Sequence, residues 1–230
     1  MSKLPVIGLI VVAAALAACQ KQTNSASAPV ATPLAEKKSP PPQPVVAEKT
    51  YDGPFGLAGK MSTAELARLD FKPLSFNPSL YKGVAPRPME GINDYVVLAT
   101  PEAGVCRIMA NADVSVVNGS GDQIKEKVDQ LAELMATKYG KRSSKTDFAN
   151  QDVYRRNPEF WMMALTEDSV AYGYTWEAGK TETALPDDLQ SIEIFAGATQ
   201  IRSGWAQIRY NFKNIKDCQE SAKKRKAANL

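Results

Sequence analysis

The sequence predicts an α+β domain: an antiparallel sheet with one long helix and shorter helices packed on one face. Three observations carry that expectation. An apolar stripe of helical period runs from Asp122 to Tyr139, a two-residue alternation runs from Trp205 to Phe212, and strand-like runs lie on both sides of the helix.

In chain order, the turn-rich stretch Gly53-Pro54-Phe55-Gly56-Leu57 precedes Ser62-Thr63-Ala64-Glu65, whose spacing is that of a capping box opening a short helix to about Leu69. Asp94 to Thr100 and Gly104 to Ala110 are rich in Val, Leu and Ile and are bounded by Gly, Pro and Asn, so both read as strands. In the long helix Ile124, Val128, Leu131, Met135 and Tyr139 recur at steps of three and four, while Lys125, Glu126, Asp129 and Glu133 are expected to face water. Gly140 stops it. Pro158 to Leu165 reads as a short helix or turn, and Ser169 to Glu177 as a strand. Ser191 to Gln200 and Trp205 to Phe212 read as a hairpin around Arg202-Ser203-Gly204. Ala206, Ile208, Tyr210 and Phe212 should point inward, with Gln207, Arg209 and Asn211 between them on a polar side.

The first 18 residues, MSKLPVIGLIVVAAALAA, have one positive charge, an apolar run and then small residues. That is the form of a secretory signal; the run is shorter than the ~20 residues that span a bilayer as a helix. Leu16-Ala17-Ala18-Cys19 resembles the lipobox of bacterial lipoproteins. The resemblance implies cleavage before Cys19, a diacylglycerol on its sulfur and an acylated amino terminus, so that several chains anchor the protein to the membrane. Gln20, where an aspartate would favour the inner membrane, implies an outer-membrane destination facing the periplasm. Residues 19–50, with Ser39-Pro40-Pro41-Pro42-Gln43-Pro44 at their centre, have the composition of a disordered Pro/Ala-rich tether, reaching ~30 Å as a coil and up to ~90 Å extended. Short segments further on, Pro54 to Leu57, Gly59 to Ser62, Gly104 to Ile108 and Lys138 to Lys141, resemble stretches of Gram-negative envelope proteins. They imply a small periplasmic domain and no particular activity.

Residues 51–218 suffice for one domain burying roughly 70% of its extended-chain surface. The whole chain carries +3, but this region has 19 Lys and Arg against 22 Asp and Glu, a net of −3. The basic excess lies in the leader, the tether and the 219–230 tail with Lys223-Lys224-Arg225-Lys226, which argues against a nucleic-acid partner. Once Cys19 is set aside, Cys106 and Cys218 remain as an even pair, the simplest content of one disulfide in an oxidising compartment.

The chain has no histidine, which removes Ser-His-Asp and Cys-His catalysis and His-ligated zinc. It also has no nucleotide-binding glycine motif, and no cofactor is expected. Asn118-Gly119-Ser120-Gly121-Asp122 reads as a turn and helix cap rather than a phosphate or calcium loop. Asp and Glu pairs for glycan cleavage need only converge in space, and Glu159, Glu167 and Asp168, near Trp161 and Trp176 in sequence, are the set that fits a sugar cleft best. The leading expectation is a membrane-anchored lipoprotein whose domain is a binding or structural module for an envelope protein or cell-wall component. An inhibitor or immunity-type lipoprotein and a carboxylate hydrolase acting on wall glycans are the alternatives.

Overall fold

The computed structural model describes residues 51–186 and 188–228. It begins with a 3-10 turn at Pro54–Gly56 and helix α1 (Thr63–Arg68), where Ser62 and Glu65 make both bonds of the capping box. Strands β1 (Lys72–Leu74), β2 (Asn77–Gly83), β3 (Asp94–Thr100) and β4 (Gly104–Val114) form an antiparallel meander. Helix α2 (Asp122–Tyr139) follows, then β5 (Ser144–Ala149), α3 (Asp152–Arg156), α4 (Trp161–Thr166), β6 (Val170–Glu177), β7 (Leu189–Gln200), β8 (Ser203–Phe212) and α5 (Ile215–Ala228).

All eight strands join one antiparallel sheet in the order β1-β2-β3-β4-β8-β7-β6-β5, so the architecture is α+β. The first four strands step from one edge to the centre. The chain then crosses to the far edge and steps back until β8 pairs with β4. Four strand spacings of ~4.8 Å make that crossing about 19 Å. The 18 residues of α2 rise ~27 Å, enough to bridge it in a single helix.

Register shows where the core sits. Val97, Ile108, Tyr210, Ile192 and Trp176 are successive cross-strand partners on one side of the sheet, and all five are buried. The stripe of α2 is buried at all five expected positions, and it lies against β6, β7 and β8. Met135 accepts a long hydrogen bond from Tyr210 Oη at 3.6 Å, and the Tyr139 and Tyr210 rings meet edge to face at 6.4 Å. Gly121 ends the preceding turn at φ 69°, and a Cβ there would stand 2.0 Å from the Trp161 ring. Its lack of a side chain serves both the left-handed turn and the close approach.

Several positions differ from the sequence reading. Asp129 does not simply face water: its carboxylate accepts from Tyr172 Oη at 2.8 and 3.0 Å and from Tyr174 Oη at 2.7 Å. Lys125 Nζ sits 4.2 Å from the centroid of the Trp161 ring and donates to Ser120 O. Both residues flank the apolar stripe, near enough to the sheet to fold back onto it. The basic run from Lys223 to Lys226 lies inside α5 rather than in a tail, and Arg225 Nη2 donates to Ser79 Oγ at 3.0 Å. Strands β1, β2 and β5 and helix α3 lie in stretches where the sequence pattern predicts no element.

Cys106 on β4 and Cys218 on α5 stand at disulfide distance, Cα atoms 6.3 Å apart, both fully buried. Asn214 fastens the same corner by donating to Ala103 O at 2.9 Å and Val105 O at 3.1 Å. Two core phenols resist ionisation. Burial, then the hydrogen bonds with Tyr174 and Asp129, push Tyr172 above the ordinary phenol range; burial, then the neighbouring Tyr139, does the same for Tyr210. A folded pKa above the unfolded value contributes stability that is complete below the unfolded pKa of about 10 and is lost as pH rises past it. Urea midpoints should therefore hold steady between about pH 7 and 9 and fall above about pH 10. A Tyr210→Phe chain should fall less steeply; equal slopes for the two chains would contradict this assignment.

Candidate functional site

The polar positions of the central strands converge on the side of the sheet opposite Tyr210. Cross-strand pairing lines up Val96, Met109, Arg209, Glu193 and Thr175 in one row. Asn111, Gln207, Phe195 and Gly173 form the next row, and Arg107, Asn211 and Ser191 flank the first on its other side. Alternation puts these residues on one side, because successive side chains of a strand point to opposite faces.

They form one hydrogen-bonded network. Arg107 Nε donates to Asn211 Oδ1 at 2.6 Å, and Asn211 Nδ2 donates to Glu193 Oε1 at 2.8 Å and to Ser191 Oγ at 2.9 Å. Arg209 Nη1 reaches Glu193 Oε2 at 3.2 Å, and Nη2 reaches Gln207 Oε1 at 3.0 Å. Gln207 Nε2 continues to Asn111 Oδ1 at 2.7 Å. The Arg209 guanidinium also lies 4.4 Å from the centroid of the Phe195 ring. Asn211 is 5% exposed, whereas the Arg209 and Glu193 side chains are 27% and 31% exposed, so the network has a buried base and a wet rim.

One carboxylate serves two guanidinium groups here: Glu193 pairs with Arg209 directly and is linked to Arg107 only through Asn211. Burial, then the charge of Arg209, holds Arg107 below the ordinary arginine value, and Glu193 opposes that shift. The group stays protonated at any physiological pH, so the shift registers incomplete compensation of its charge. Arg209 Nε is buried without a hydrogen-bond partner among the described residues.

Beside the network is an open cavity of about 400 Å³, lined by Gly173, Glu193, Phe195, Gly197, Trp205 and Arg209 among others. Gly197 makes room for the indole, since a Cβ there would stand 2.5 Å from the Trp205 ring. Aromatic walls, a guanidinium and a carboxylate around a cavity of this size suit a ligand with both apolar and charged parts.

The carboxylates singled out in the sequence do not converge. Glu159, Glu167 and Asp168 are all exposed. Glu159 borders a groove with Val116, Phe160, Met163 and Ile201; Glu167 accepts from Tyr154 Oη at 2.9 Å; Asp168 borders the 400 Å³ cavity. Trp161 and Trp176 are buried, and Trp176 Nε1 donates to Gly140 O at 2.8 Å. The loop from Asn118 to Asp122 is a turn and cap: Asn118 Oδ1 accepts from Asp122 N at 3.0 Å, and the Asp122 carboxylate accepts from Ser120 Oγ and Asn118 Nδ2. Those two hydrogen bonds hold the Asp122 carboxyl below the usual carboxylate range.

Among the described residues no His, Cys, Asp and Glu group is arranged to hold a metal ion, and no helix is long and apolar enough to cross a membrane. Cys19 lies outside the described residues. No protein family, curated protein or solved structure matches the chain.

Proposed function

We propose that this chain is an envelope lipoprotein, anchored through Cys19 in the outer membrane and facing the periplasm, whose folded region is a binding module for a cell-wall component. In this reading the helices form a single layer on the apolar side of the sheet, and the polar side is the working surface. The observation that carries it is the half-exposed network of Arg107, Arg209, Glu193 and Asn211 beside the Trp205 and Phe195 cavity. A solvated sheet face needs no such construction: exposed polar residues are satisfied by water, whereas these bond one another across β4, β8 and β7. The near pairing of Cys106 with Cys218 fits an oxidising compartment, where we propose that the two are bonded.

A second reading, an inhibitor or immunity-type protein, draws support from the exposed apolar residues Val116, Phe160, Met163 and Ile201 around one groove. Photo-crosslinking in intact cells separates the two. A crosslinker replacing Met109, in the polar row, is expected to give adducts that wall hydrolase treatment converts to smaller species. One replacing Ile201 is expected to give none. A discrete protein adduct from position 201 alone would favour the second reading. Membrane fractionation of the same cells tests the anchor: a Cys19→Ala protein should leave the membrane fraction, and retention there would sink it.

A further inference from the structure

The polar side of the sheet carries more donor capacity than the protein itself uses, and the imbalance has a sign. Around the centre of that side stand two guanidinium groups, Arg107 and Arg209, and one carboxylate, Glu193. Of the outlying charges, Lys82 pairs with Asp94 at 2.7 Å and Lys180 with Glu177 at 2.8 Å, while Asp113, opposite Trp205, and Asp168, at the cavity rim, are exposed to water. Within the half-buried centre itself, two guanidinium groups stand against one carboxylate, leaving one positive charge over. Glu193 is already engaged through both oxygens, Oε1 with Asn211 and Ser191 and Oε2 with Arg209. Arg107 uses only Nε, on Asn211, so its two terminal nitrogens have no acceptor among the described residues.

From this geometry we infer that the polar face binds a carboxylate-bearing peptide, whose carboxylate takes the terminal nitrogens of Arg107 while its apolar portion lies along Val96 and Met109 towards the Trp205 and Phe195 cavity. The inference rests on the binding-module reading above and specifies its ligand. Charge count selects the carboxylate. A carboxylate carries one negative charge and restores neutrality, whereas a doubly charged phosphate would leave the half-buried cluster negative beside Glu193. Geometry agrees, because a guanidinium edge offers two parallel N–H donors that match the two oxygens of a carboxylate. The incomplete compensation of the Arg107 charge has the same sign. Leu98, the cross-strand partner of Arg107, and Met109 supply half-buried apolar surface on either side for the rest of the ligand.

Titration of the full-length, detergent-solubilised protein with three probes, followed by backbone amide NMR shifts, tests this. The probes are acetyl-Ala-Glu-Ala-Ala, its counterpart with every carboxylate amidated, and inorganic phosphate. The acidic peptide should saturate and shift amides around Arg107, Met109 and Glu193, while the amidated peptide and phosphate bind at least tenfold more weakly. Arg107→Gln should weaken the acidic peptide tenfold or more, and Arg107→Lys should restore little, since an ammonium lacks the paired edge. The wild-type comparison of acidic and amidated peptides stands even if a variant folds poorly. Equal binding of the two peptides, tighter binding of phosphate, or an unchanged Arg107→Gln affinity would overturn the inference. If no peptide binds while Met109 adducts persist in cells, the carboxylate inference fails and the binding module stands. If the adducts are missing as well, both fail.

Discussion

Breaking the disulfide proposed between Cys106 and Cys218 is expected to destabilise this protein strongly. The two cysteines are 112 residues apart, and both side chains are fully buried. In the chain-entropy account, releasing a loop of that length frees the unfolded chain by about 5 kcal/mol. For a domain of this size that corresponds to a fall in Tm of roughly 10 to 20 °C. The loss should begin locally, because α5 is basic and few polar side-chain bonds tie that end of the chain to the sheet: Asn214, just before α5, to Ala103 and Val105, Arg225 to Ser79, and Ser221 with Glu102. Under reducing conditions, amides of α5 should exchange hydrogen before those of β4 and β8. Calorimetry of the oxidised protein, the reduced protein and a Cys106→Ala, Cys218→Ala chain provides the check. A midpoint unmoved by reduction would show that the pair does not hold the fold.

Asp129→Ala is the single substitution expected to cost most among the surface-reading positions of α2, about 2 to 4 kcal/mol in urea unfolding. The carboxylate accepts from two tyrosine hydroxyls whose residues are only 7% and 6% exposed. Removing it takes the carboxylate acceptor from both hydroxyls, at about 1 to 3 kcal/mol for each group left unsatisfied. Tyr172→Phe and Tyr174→Phe introduced together into the Asp129→Ala chain should recover most of the loss, because the orphaned donors are then gone. An ordinary solvated helix carboxylate would instead cost within about 0.5 kcal/mol, and that result would refute the coupling.

The contrast between Asp129 and its neighbours shows how far sequence reasoning reaches. The stripe Ile124, Val128, Leu131, Met135 and Tyr139 is legible because burial on one side imposes a period, and helix α2 has the bounds the period implies. Asp129 follows Val128 directly, so it lies at the flank of the stripe, where the period cannot separate a solvated carboxylate from one roofed by tyrosines on another strand. The missed strands have a related cause. β5 is exposed at nearly every position, β1 is three residues long, and β2 begins Asn77-Pro78-Ser79, so none carries the alternation that a half-buried strand shows. The candidate site was half legible. Gln207, Arg209 and Asn211 read as polar positions of a strand, which they are, but their partners Asn111, Glu193 and Arg107 sit on other strands. The Arg107–Asn211 and Asn111–Gln207 bonds span 104 and 96 residues.

The sequence by itself determined the local matters: the helix and its stop, the capped turn, the polar and apolar sides of β8, the pair of cysteines left for the domain, and the expectation of a lipid anchor at Cys19. These follow from rules acting over a few residues, from periodicity to capping to the form of a leader. Only the tertiary structure decided that β4 pairs with β8 at the centre of the sheet, that the basic run at the C-terminus belongs to a helix, and that Arg107 and Arg209 join one network around Glu193. Those depend on which strands become neighbours. Strand order is set by the burial of the whole apolar side at once, and no local stretch of residues encodes it.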